Sequence, residues 1–201
     1  MKPVPDDTRD YADLNTDYWA YSYVRTLTGY GIIAGYPQPD GTFTYEPEQD
    51  ITRAEIMKLI AASLELQLLD GFDGSRFADW GEVADWAKPY VGALVNAGIV
   101  AGSQEGDRLL INADSNVTRQ EMIAMAIRAL DIDMPEEVNP GRRITDFDDA
   151  DNWAKRTLAF AVNNAMINVD NSAANPKNAA KRSEAAMMLY KMIEYRTVNG
   201  S

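Results

Sequence analysis

Apolar residues recur at helical spacing in six stretches of this chain, and the stretches come in pairs. The first member of each pair is Trp19, Tyr23, Leu27 and Tyr30, then Trp86, Tyr90, Ala93 and Leu94, then Trp153, Thr157, Phe160 and Ala161. Steps of three and four residues predict a helix in each case. The second members are Ile56, Leu59, Ile60 and Leu64, then Met122, Met125, Ala126 and Leu130, then Ala185, Met188, Leu189 and Ile193. They predict a second helix with one buried face, its methionines serving as core filler. That helix opens on a recurring pentapeptide: Ile51-Thr52-Arg53-Ala54-Glu55, Val117-Thr118-Arg119-Gln120-Glu121 and, in worn form, Ala180-Lys181-Arg182-Ser183-Glu184. Thr52 with Glu55 and Thr118 with Glu121 have the spacing of a capping box, in which hydroxyl and carboxylate each satisfy a backbone N–H of the first turn. Gly31 and Gly98 suit a left-handed cap at the end of the first helix. Pro37, Pro39 and Asp40-Gly41 mark turns in the loop between the helices, with a short extended piece expected at Thr42-Phe43.

The pairs are copies of one unit. Trp19, Trp86 and Trp153 are each 67 residues apart. An Asp followed by an apolar residue precedes each Trp (Asp13, Asp79, Asp146), and the pentapeptide arginine follows it. The order predicts three repeats, 11–69, 76–134 and a degenerate 143–196, joined by turn-rich segments at 69–74 and 134–141. One helix–loop–helix cannot bury its own apolar face, whereas three can by pooling one helix each. The expected fold is therefore mainly α: three tandem helix–loop–helix modules packed with three-fold pseudo-symmetry around a central three-helix bundle.

Composition then removes function classes. The formal charge of the 201 residues is −12 and the pI about 4.4, which argues against nucleic acid and against a polybasic membrane patch. There is no cysteine and no histidine. Disulfides, thiolate zinc sites, His-ligated metals and His-based nucleophilic triads are thus unavailable, and no cofactor is implied. No stretch has the length of a membrane span, and Met1-Lys2-Pro3-Val4-Pro5 lacks a signal-peptide core. The chain is expected to be either cytoplasmic or a segment of a longer exported protein.

The arginines carry the candidate chemistry. Arg53 and Arg119 stand at the first helical position, beside the positive end of the helix dipole, where a cation is mildly unfavourable. Beside free helix N–H groups such an arginine makes an anion site for a carboxylate or phosphate; the alternative is an ordinary arginine paired with a nearby Asp. An enzyme would have to rest on carboxylates alone, and three quasi-equivalent copies fit multivalent binding better than one asymmetric active centre. Asp146, Asp148, Asp149 and Asp151 lack the order of an EF-hand loop and read as a solvated acidic turn.

The Asp-apolar start, the Trp, Gly31-Ile32, the loop Asp40-Gly41-Thr42-Phe43 and the Ile-Thr-Arg-Ala-Glu opening together resemble the S-layer homology family, over about Tyr11 to Tyr195. The second copy keeps Gly98-Ile99, Gly102 and Thr118 to Glu121; the third keeps Asp146, Trp153, Arg182 and Glu184, with Val169 in place of Gly35 and Gly102. The resemblance implies a monomer folded as an intramolecular pseudo-trimer, extracellular and wall-associated, that anchors a surface or exported protein. It implies grooves between modules that bind a secondary cell-wall polysaccharide, often pyruvylated on N-acetylmannosamine, with the motif arginine as principal contact. On that basis the candidate ligand residues are Arg53, Arg119, Arg182, Asp13, Asp79, Asp146, Gly35, Gly102, Tyr36, Trp80 and Lys181. Trp19 is read chiefly as core, Glu55, Glu121 and Glu184 as caps. The grooves of Arg53 and Arg119 rank above that of Arg182, whose copy lacks the glycine and the capping Thr. The alternative is a self-assembly module without sugar binding.

Overall fold

Each predicted helix pair forms, and a computed structural model describes residues 9–141, 144–169 and 172–199. The expected start of the third repeat, at 143, lies outside the described residues. The first helices are α1 (Tyr21–Gly29), α3 (Lys88–Asn96) and α5 (Asn152–Asn163); the second are α2 (Arg53–Ser63), α4 (Arg119–Arg128) and α6 (Arg182–Asn199). α1 and α3 begin two residues after their Trp, which sits in the preceding turn, while α5 includes Trp153 in its first turn. Gly31 and Gly98 both take φ of 72° as the expected caps. In the connecting loops, β1 (Tyr36–Pro37) pairs antiparallel with β2 (Phe43–Thr44), and β3 (Ser103–Glu105) with β4 (Arg108–Leu110).

Both capping boxes are complete: Thr52 and Thr118 accept from the N–H of Glu55 and Glu121, whose carboxylates accept from the Thr N–H groups. In α6, Lys181 replaces the Thr, and only the glutamate half survives, with Lys181 N–H donating to Glu184 at 2.9 Å.

The second helices are apolar nearly all round rather than along one face. In α4 every residue from Met122 to Ile127 is buried, and in α6 every residue from Ala185 to Leu189. The reason is their position: α2, α4 and α6 each touch the other two and also carry a first helix on the outside. A helix with neighbours on several sides keeps only a narrow strip for water, which carries Lys58 in α2 and Arg128 in α4. The outer helix comes from the next copy, not from the same one: α3 packs on α2, α5 on α4 and α1 on α6.

Backbone hydrogen bonds close the same cycle. Ile51 N–H donates to Ala180 O (2.9 Å), Ala180 N–H to Val117 O (2.9 Å) and Val117 N–H to Ile51 O (3.0 Å). These residues immediately precede the caps, so the starts of α2, α4 and α6 are tied together.

Candidate functional site

The first-turn N–H groups expected to be free for an anion are already used. Arg53 N–H donates to Ser115 O and Ala54 N–H to Ala113 O; Arg119 and Gln120 donate to Asn178 O and Pro176 O; Arg182 and Ser183 donate to Gln49 O and Pro47 O. Every acceptor belongs to the loop of the next copy. The helix-terminus anion site is thus corrected: a chain segment satisfies the donors before any ligand arrives.

The arginine side chains follow the same rule, and none is a surface residue. Arg53, Arg119 and Arg182 are 7%, 5% and 8% exposed. Arg53 Nε donates to Ile111 O (2.9 Å) and its Nη1 meets Glu121 Oε1 at 3.0 Å. Arg119 Nε donates to Ala174 O (2.7 Å), Nη1 pairs with Glu184, and Nη2 donates to Asn168 O (3.0 Å). Arg182 Nε donates to Tyr45 O (2.9 Å), Nη1 to the Tyr36 hydroxyl (2.8 Å), with Glu55 Oε1 3.5 Å away. Burial pulls Arg53 below its usual pKa, opposed by Glu121 and Asp79. Each motif glutamate therefore does two jobs, capping its own helix with one oxygen and holding the preceding copy's arginine with the other. The sequence reading assigned only the first.

The aspartates hold the loop that the arginines grip. Asp13 accepts from Tyr45 and Glu46 N–H, Asp79 from Ile111 and Asn112, and Asp146 from Ala174 and Asn175, all within 2.6–3.1 Å. The second residue of each pair is left-handed: Glu46 at φ 59°, Asn112 at 55°, Asn175 at 49°. Two N–H groups converging on one carboxylate hold a conformation that non-glycine residues avoid. Tyr45, Ile111 and Ala174 thus give their N–H to the Asp of their own copy and their carbonyl to the Arg of the preceding one.

Gly35 and Gly102 are required by internal packing. At φ 65° and 88°, a Cβ would stand 2.3 Å from the Tyr11 ring in the first case and 2.9 Å from Phe77 and Leu110 O in the second. In the third copy Ile144 occupies the place of Tyr11 and Phe77, and without the aromatic ring Val169 is accommodated at the glycine position.

Among the described residues, a groove with a volume of about 610 Å³ opens on this framework. Its walls are Val100–Gln104 of the second loop, the face of α4 carrying Thr118, Glu121, Ala124 and Arg128, and Trp153, Asp151 and Lys177 of the third copy; Arg53 reaches it from the first. The corresponding position beside Arg182 is filled: Tyr36, donating to Glu55 at 2.8 Å, lays its ring 4.6 Å from the Arg182 guanidinium. Ser103 stands where Tyr36 does, and Ala124 where the other copies have Lys58 and Met187, so the second groove stays clear. Because each arginine serves the following copy, the loop with Val169 belongs to Arg119 and the loop with Gly35 to Arg182. The sequence ranking paired them within a copy and assigned them the other way round.

Of the remaining candidates, Trp80 stacks edge-on against Phe72 at 5.7 Å and blocks any side chain at Gly74, which is interior packing away from the groove. Lys181 Nζ pairs with Asp50 at 2.6 Å, holding the third copy to the first. Trp19 is not core: with Trp86 and Trp153 it is 43–49% exposed. Trp153, Ser103, Ala124 and Arg128 line the groove yet were not picked out; the loss of Tyr36 and Lys58 in the second copy was the available signal.

Residues 10–57 and 76–123 match the S-layer homology domain (SLH) family. An exoglucanase XynX of Acetivibrio thermocellus is 31% identical over 183 residues, covering 89% of this chain and 16% of that protein. An amylopullulanase of Thermoanaerobacterium thermosulfurigenes is 30% identical, covering 89% and 9%. The S-layer protein sap of Bacillus anthracis is 24% identical over 191 residues, covering 95% and 22%. The chain thus spans less than a quarter of each of these relatives.

Proposed function

The chain belongs to the S-layer homology domain family, and we propose that it is a cell-surface module that anchors a surface or exported protein to the bacterial cell wall by holding a pyruvylated secondary cell-wall polysaccharide. Its relatives include S-layer proteins and surface enzymes, and what they share with this chain is a small part of their length. The activities named for those enzymes do not transfer with it. The recurring carboxylates here are engaged in holding backbone N–H groups and arginines, which supports a binding role over catalysis.

Residues 143–196 serve as a third, diverged copy, and the chain works as a monomeric intramolecular pseudo-trimer. The support is the closed cycle of backbone bonds and of Arg–Glu pairs from each copy to the next.

The observation that carries the ligand assignment is the open groove around Thr118, Gly102 and Trp153. Its size is that of a small-ligand site. A half-exposed Trp ring on one wall suits the apolar face of a sugar, and the hydroxyl, amide and loop backbone opposite suit its hydroxyls. Arg53 borders the groove with its charge engaged by Glu121.

Titration calorimetry with a pyruvylated wall disaccharide and its unpyruvylated twin tests this. Binding of the pyruvylated sugar, weakened in Trp153→Ala, is expected. If neither sugar binds and the chain oligomerises with concentration, it is a self-assembly module instead.

A further inference from the structure

The open groove holds an uncompensated cation, and it is not one of the motif arginines. Five charged side chains line the groove: Arg53, Glu121, Arg128, Asp151 and Lys177. Arg53 is paired with Glu121 and Lys177 with Asp151. Arg128 is exposed, lies on the groove face of α4 one turn beyond Ala124, and has no hydrogen-bond or ion-pair partner among the described residues. The groove is therefore left with one surplus positive charge in a chain of net charge −12.

Nothing in the other copies reproduces this. The position of Arg128 in its helix is taken by Ala62 in α2 and by Lys191 in α6, and Lys191 is paired with Glu194 at 2.7 Å. A helix C-terminus accounts for a cation in the last turn, but it does not account for a neighbouring Ala124 that leaves room for the open groove Arg128 lines. A buried, already paired arginine must break its ion pair to take a new carboxylate, whereas a free guanidinium pays no such cost and offers bidentate geometry.

We infer that Arg128 is the specificity-determining residue of this groove, taking the carboxylate of an acidic sugar directly, while Arg53 positions the walls. This deepens the anchoring proposal and rests on it. The test uses the full chain, the same two disaccharides, and the variants Arg128→Ala, Arg128→Lys and Trp153→Ala in calorimetry, with thermal unfolding alongside. Arg128→Ala should weaken binding of the pyruvylated sugar by about 10- to 100-fold, the effect of losing a hydrogen bond to a charged group. It should leave the unpyruvylated sugar and Tm unchanged, and Arg128→Lys should recover part of the loss. Equal affinity of wild type and Arg128→Ala for the pyruvylated sugar, with Trp153→Ala impaired, would overturn the inference and leave the anchoring proposal standing. Failure of the wild type to bind either sugar would overturn both.

Discussion

Replacing Arg53 by Ala is expected to act on the fold before it acts on any ligand. The side chain is 8% exposed and makes two contacts in the second copy, to Ile111 O at 2.9 Å and to Glu121 Oε1 at 3.0 Å. Truncation orphans a buried carbonyl and leaves a carboxylate without its cation. Breaking a buried ion pair from one side costs about 3–5 kcal/mol, and a charged hydrogen bond alone about 1.5–3. Glu121 is 27% exposed at the side chain and keeps its capping bonds, so part of its charge stays solvated. The lower end follows: a loss of ~3 kcal/mol, or ~6–12 °C in Tm for a domain of this size. Urea unfolding of wild type, Arg53→Ala and Arg53→Lys would measure it, with the lysine variant expected in between because it keeps a charge but loses the Nε bond. A loss under ~1 kcal/mol in Arg53→Ala, with unchanged circular dichroism, would refute the stabilising role of its bonds to Ile111 and Glu121 and return Arg53 to the role of direct ligand contact.

Gly102→Ala should destabilise by ~1–3 kcal/mol, since φ of 88° is strained for alanine and the new methyl stands 2.9 Å from Leu110 O and Phe77; thermal melting within 1 °C of wild type, roughly 0.3 kcal/mol, would contradict this. Ile144→Phe should be destabilising alone and rescued by Val169→Gly, and a double-mutant cycle without coupling would break the proposed exchange of ring for methyl groups. Burial raises the Tyr36 pKa to about 12, with Arg182 opposing and Glu55 reinforcing. Its folded value lies above the unfolded 10.0, so the neutral phenol's contribution is complete below pH 10 and is lost as pH rises toward 12. Urea midpoints across that window should fall less steeply in Tyr36→Phe than in wild type; parallel curves would rule the contribution out.

How much was legible in the chain varies by the range of the interaction. The capping boxes at Thr52 and Thr118 are complete within four residues of backbone, and a local spacing is enough to specify them. The same holds for the left-handed caps at Gly31 and Gly98 and for the succession of helix pairs along the chain. The exposure of Trp19 was not legible, because a ring in the turn before a helix has the same apolar signature as one inside it. Nor was the burial of α2, α4 and α6 on more than one face, which depends on how many neighbours surround each one.

By itself, then, the sequence determined a mainly helical chain, where its paired helices lie, and which residues recur along it. Only the tertiary structure decided what those residues touch. Each arginine, glutamate and loop carbonyl finds its partner in another copy, 49 to 146 residues away for the bonds described above, and no spacing in the chain encodes the direction of that cycle. It is the ring closure, burying second helices that no single copy can cover, that commits the motif arginines to the framework, with the groove beside Arg128 lying open between neighbouring elements.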